Sequence, residues 1–177
     1  LIILFFCQLI SSTGQLVVVT LGGIIGSSLT DSQSIATLPV SLMVVVTALT
    51  AIPATMLMRR IGRKYGSAIA SLSAAIAVLL AAYAIKTQSF ILFALSAAMF
   101  GINAAFSQQY RYAAAESVNQ EFVSRSISLI LLGAIGGAML GPELVTRGQF
   151  WISGIQYAGK LISLALLFVI QAILLLS

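Results

Sequence analysis

Four cationic side chains fall within the six residues Arg59-Arg60-Ile61-Gly62-Arg63-Lys64. On either side the chain is uncharged, from Ile35 to Met58 and from Tyr65 to Ile85. A run of about 20 apolar residues is what a helix needs to cross the hydrocarbon of a bilayer. Two such runs with so short a link between them are expected to fold as a hairpin of membrane-spanning helices. Lys and Arg in short loops favour the cytoplasmic side. The turn of the hairpin is therefore expected in the cytoplasm, and the other crossings follow by alternation.

Composition agrees with that reading. The chain is 60% hydrophobic and 7% charged, against about a quarter charged for a soluble domain, so it has too little charge to cover a water-facing surface. Its net charge of +5 falls at expected links and sets topology. A nucleic-acid partner would need a basic patch with interleaved aromatics on a soluble face, and none is expected. The lone Cys7 allows neither an intramolecular disulfide nor a cysteine metal cluster. The chain has no His, and its acids are Asp31, Glu116, Glu121 and Glu143, none expected at mid-membrane. Intramembrane hydrolases need a base for the nucleophile, and metal enzymes need clustered ligands. No catalytic residue, metal or cofactor is assigned.

Breaks at charges, Gly, Pro and polar clusters divide the chain into six spans, an all-α membrane bundle. They run about 1–29, 35–58, 67–85, 90–114, 125–145 and 157–176. Thr30 to Ser34 is the first turn, and Thr146 to Gln156 a looser link with Trp151 as an interfacial anchor. With the basic turn inside, the inner links hold Arg59, Arg60, Arg63, Lys64, Arg111 and Arg125; the outer side holds Lys86, Arg147 and Lys160. That bias puts both ends of the segment in the cytoplasm, and a plasma membrane, such as a bacterial inner membrane, is the expected location. The chain starts on Leu and stops just after an apolar run, and so reads as an excerpt of a longer protein.

Polar residues are not spread evenly over the spans. Gln8, Ser12 and Gln15 share one face of the first span, and Asn103, Ser107 and Arg111 one face of the fourth. A polar stripe at membrane depth is costly unless it faces protein or water. Each residue by itself fits equally well as a hydrogen-bond partner for a neighbouring helix; the two stripes together are expected to line a cavity. The sixth span is almost purely hydrocarbon. In the fifth, Gly133, Gly137 and Gly141 recur every four residues and should let another helix approach closely. Pro142 is expected to bend or stop that helix.

Arg60-Ile61-Gly62-Arg63-Lys64 resembles the R-x-G-R-[RK] core of the loop between the second and third helices of major facilitator superfamily transporters. Gly137-Ala138-Met139-Leu140-Gly141-Pro142 resembles the G-x-x-x-G-P motif of many antiporters in that superfamily. Arg125 falls where the family often has an Arg. The family's loop motif opens G-x-L-A-D, whereas Thr55 to Arg59 stand here, with Arg59 in place of the Asp. Ala97 occupies the position of the fourth-helix Arg of proton-coupled drug antiporters.

The resemblance implies the amino-terminal six-helix half of a twelve-helix carrier, built as two inverted three-helix repeats with the solute at the midplane. The implied partners are a small-molecule solute, the lipid bilayer and a carboxy-terminal half of the same chain. Transport would be by alternating access, with secondary active transport expected. Gln8, Ser12, Gln15, Asn103 and Ser107 would line the cavity, with Arg111 joining them if it faces inward. Arg60, Gly62, Arg63 and Lys64 would form a cytoplasmic gating link, with Glu116, Glu121 and Arg125 as ion-pair partners. Glu121 and Arg125 also have the spacing of a simple i,i+4 pair. The other reading is a compact six-helix protein that dimerises into a carrier or pore.

Overall fold

A computed structural model describes residues 1–29, 37–147 and 158–176 of the 177-residue chain. The expected first turn with Asp31, and the expected anchor Trp151, lie outside the described residues. The described residues are helical apart from short turns, without a strand among them. The helices are α1 (Ile2–Leu29), α2 (Leu38–Ile61), α3 (Arg63–Lys86), α4 (Phe90–Ser107), α5 (Tyr110–Glu116), α6 (Val123–Arg147) and α7 (Ala158–Leu176). A single 3-10 turn, Gln120–Phe122, leads into α6. Five described stretches are long and apolar enough to cross a membrane, and a shorter apolar stretch, Leu164–Leu176, lies in α7. The protein is a multi-pass membrane bundle.

The expected basic loop is one residue long. α2 runs to Ile61 and α3 begins at Arg63, so the cationic residues sit in the helix ends and only Gly62 breaks the helix. Gly62 has φ +88° and ψ 151°, a region that side chains other than glycine's hydrogen essentially exclude. The fourth span is also not one helix. The Ser107 hydroxyl donates to Ala104 O at 2.9 Å, and Gln109 N–H reaches Phe106 O, three residues back, at 3.0 Å. These local bonds tighten the last turn and end α4. After the turn at Gln108 and Gln109, α5 restarts at Tyr110. Of the two outcomes expected at Pro142, a bend or a stop, the stop is corrected, because α6 continues through it to Arg147. Membrane bundles accommodate the lost hydrogen bond through neighbouring helices and local adjustment.

α1 packs along α6, α2 along α4, and α3 against both α4 and α7. Exchanging the first span with the fourth and the second with the fifth converts the α1–α6 pair into the α4–α2 pair. This is the pattern of two inverted three-helix repeats. Small residues make these approaches possible. The buried stripe of α3 is Ser67, Ala70, Ser71, Ala74, Ala77, Val78, Ala81 and Ala84, and Gly14 leaves room for the edge-to-face pair Phe100–Phe168, centroids 5.3 Å apart.

The α1–α6 seam is closer still. A Cβ on Gly137 would lie 2.9 Å from Ser12 Cβ and in collision with the Leu9 carbonyl oxygen. One on Gly133 would lie 3.0 Å from Phe5 O, and one on Gly141 3.0 Å from Leu16 Cβ. Thr13 Oγ1 then shares its one proton between Leu9 O in its own helix, at 2.8 Å, and Gly137 O across the seam, at 3.1 Å. The α2–α4 pair uses the same device: Thr47 Oγ1 donates to Gly101 O at 3.1 Å, where a Cβ would meet Met43 O at 2.5 Å. These two clamps fix the helices that carry the polar stripes.

Candidate functional site

α1 carries Gln8, Ser12 and Gln15 about 9 to 20 Å from its start, at 1.5 Å per residue. That interval reaches the middle of a hydrocarbon layer about 30 Å thick. These side chains, together with Ser107, Gln108 and Arg111, surround a cavity of about 400 Å³ closed by Ile130, Leu131 and Ala134 of α6. Gln15 Nε2 donates to Ser107 Oγ at 3.0 Å, tying α1 to the end of α4. Gln8 Nε2 donates to Ser12 Oγ at 3.0 Å, while Gln8 Oε1 is buried with no hydrogen-bond partner among the described residues. Arg111 is exposed to the cavity and has no acidic partner among the described residues.

Asn103 does not line this cavity. It is fully buried between α3 and α4, where Nδ2 donates to Ala70 O at 3.1 Å. Its spacing on α4 matches that of Ser107, but helix rotation turns it toward the closely packed Ala stripe of α3. The opposite omission is Gln108, a cavity residue that no regular stripe predicts because it belongs to the turn.

Behind the cavity wall lies a second polar group. Gln171 Nε2 donates to Ser11 Oγ at 2.9 Å and to Tyr110 Oη at 3.0 Å. All three residues are buried, and the bonds pin α5 to α1 and α7. The sixth span read as hydrocarbon, yet Gln171 was its signal. A lone amide in such a span needs a partner.

At the basic end, Arg59 and Arg60 occupy the last turn of α2, where cations complement the helix dipole. Arg63 and Lys64 open α3, where the dipole disfavours them. The Glu116 carboxylate at the end of α5 offsets this by pairing with Arg63 Nη2. The two side chains are 40% and 67% exposed, so the pair contributes only about 0–1 kcal/mol. It holds the end of α5 weakly and can open. The expected Glu121–Arg125 pair is not formed. Glu121 lies in the 3-10 turn, where helical spacing does not apply, and the Arg125 guanidinium stands 5.8 Å from the centroid of the Phe122 ring.

Known proteins resemble the chain over nearly its whole length. The riboflavin transporter RfnT of Brucella anthropi is 33% identical over 167 residues, 94% of this chain and 42% of the relative. The uncharacterised MFS-type transporter YddS of Bacillus subtilis is 29% identical over 177 residues, 98% of this chain and 41% of the relative. The second relative is named as of the major facilitator superfamily type, the family that the basic link and the G-x-x-x-G-P segment resemble. The chain spans about two fifths of the length of these curated relatives. No family model matches the chain, and no solved structure matches it. Both relatives are named as transporters.

Proposed function

We propose that this chain is the amino-terminal six-helix half of a plasma-membrane carrier that moves a small organic solute by alternating access. Both ends of the segment would face the cytoplasm, and a carboxy-terminal half of the same chain would complete the site. The observation that carries the reading is the polar cavity of Gln8, Ser12, Gln15, Ser107 and Arg111 inside a mostly apolar bundle. Polar groups at that depth fit a water-filled solute path. The Arg63–Glu116 pair, with Arg60, Gly62 and Lys64 beside it, serves as the cytoplasmic latch. An exposed ion pair is weak enough to break in each transport cycle. The reading assigns no catalytic residue, and the Thr13–Gly137 and Thr47–Gly101 clamps keep the half rigid as it rocks.

Riboflavin is the first solute to test, because one relative is named for transporting it. Vesicles of both orientations carrying the whole natural gene product are assayed for saturable riboflavin flux. Lys64→Cys is labelled in parallel with a membrane-impermeant maleimide. Saturable flux is expected, reduced by Gln15→Leu, with labelling only in inside-out vesicles. Flux equal to that of control vesicles rejects riboflavin as the solute, and labelling from the outer side rejects the orientation.

A further inference from the structure

We infer that Arg111 selects the solute, and that the cavity takes a molecule presenting a pair of adjacent acceptor atoms, as a carboxylate, a phosphate or the N1–O2 edge of a flavin ring does. This deepens the transport reading and rests on it. Part of the hydrogen-bonding capacity in the cavity is used within the protein. Gln15 Nε2 is bonded to Ser107 Oγ, the Ser107 hydroxyl donates to Ala104 O, and Gln8 Nε2 is bonded to Ser12. Gln8 Oε1 is a buried acceptor without a partner among the described residues. Among the groups left to a solute, the Arg111 guanidinium on the cavity wall is the one that carries charge.

An unpaired cation within a spanning segment is costly, and such residues mark solute paths. Arg111 lies about one to two turns inside the basic end marked by Arg59, Arg60 and Lys64, so besides its part in the positive-inside bias it reaches the cavity wall. A guanidinium presents its donors as a flat fork that matches two acceptor oxygens at once. Among the described residues no carboxylate lines the cavity, so on this side an organic cation would meet Arg111 with nothing to offset the repulsion. Ile130, Leu131 and Ala134 offer an apolar wall to the rest of the solute.

The fold also holds the fork in place. The turn at Gln108 and Gln109 sets α5 apart from α4. The residue next to Arg111, Tyr110, is fully buried and bonded to Gln171. That anchor limits rotation of α5, so Arg111 stays on the cavity side.

The whole natural gene product, purified in detergent, is tested by thermal shift with four probes. Riboflavin presents the adjacent acceptors N1 and O2, flavin mononucleotide adds a phosphate and benzoate carries a carboxylate, while ethidium is a planar cation with none of these. At least one of the first three is expected to stabilise the protein, and ethidium is not. Arg111→Gln should weaken the apparent affinity about tenfold or more, the loss of one charge-assisted contact. Arg111→Lys, which keeps the charge without the fork, should fall between, and Lys86→Gln at the far end should match the wild type. Stabilisation by ethidium alone, by none of the probes, or equally in Arg111→Gln would overturn the assignment. A probe that binds through Arg111 but is never transported by cells would reject the transport reading and leave the assignment standing.

Discussion

Replacing Gly137 by Ala adds one methyl group at the closest point of the α1–α6 seam. The new Cβ would overlap the Leu9 carbonyl oxygen and lie 3.0 Å from Thr13 N. A relaxed carbon–oxygen contact is about 3.3 Å or more, so the helices must separate by roughly 1 Å. Overpacking of this kind costs about 1–3 kcal/mol. The Thr13–Gly137 hydrogen bond, 3.1 Å long, would be stretched beyond use, a loss of about 0.6 kcal/mol by the average for membrane helices. Alanine's better helix propensity returns about 1 kcal/mol. The balance is a destabilisation of roughly 0.5–2.5 kcal/mol.

The neighbouring Gly136 supplies the control. Its Cβ would meet only Leu9 Cδ1, at 3.7 Å, an ordinary contact. Gly136→Ala should therefore be neutral or up to about 1 kcal/mol stabilising. The assay is thermal unfolding of the whole gene product in detergent, followed by loss of the monodisperse peak on size-exclusion chromatography. Gly137→Ala should melt below the wild type, and Gly136→Ala at or above it. Equal melting temperatures for the two variants would refute the close-packed seam.

Further outcomes test the other parts. Gly101→Ala, whose Cβ would meet Met43 O at 2.5 Å, should destabilise as Gly137→Ala does, because the α2–α4 pair repeats the clamp. Arg63→Glu and Glu116→Arg should each slow solute flux several-fold while shifting stability by less than about 1 kcal/mol; the double exchange should restore flux, and its failure to do so would remove the latch. Gly62→Ala, forced into φ +88°, should lower stability by about 1–3 kcal/mol, measured by the same melting assay. Asn103→Ala should cost about 0.5–1.5 kcal/mol without altering solute affinity, whereas Gln15→Leu should weaken affinity. The reverse pattern would return Asn103 to the cavity.

Features that depend on short-range sequence were legible without the structure. Span length, the basic hairpin between Met58 and Tyr65, and the four-residue spacing of Gly133, Gly137 and Gly141 are one-dimensional properties. The bilayer and the helical repeat turn them into structure directly. The α1 stripe of Gln8, Ser12 and Gln15 was readable for the same reason, and all three line the cavity. Other features depended on what each face meets. Asn103 and Ser107 share a stripe, yet one bonds to the α3 backbone and the other to Gln15 across the cavity. Periodicity gives a residue's direction about its own axis, but not the neighbour in that direction.

The break at Gln108 and Gln109 arose from side-chain and backbone bonds that compete with a continuous helix, and apolar content does not record that competition. It brings Gln108 and Arg111 to the cavity and lets Tyr110 reach Gln171, a partner 61 residues away. The sequence by itself determined where the long apolar spans fall and which faces are polar, because burial in hydrocarbon acts on each span separately. Only the tertiary structure decided which polar groups meet each other and which remain free for a solute, because pairing depends on the rotation of each helix against its neighbours.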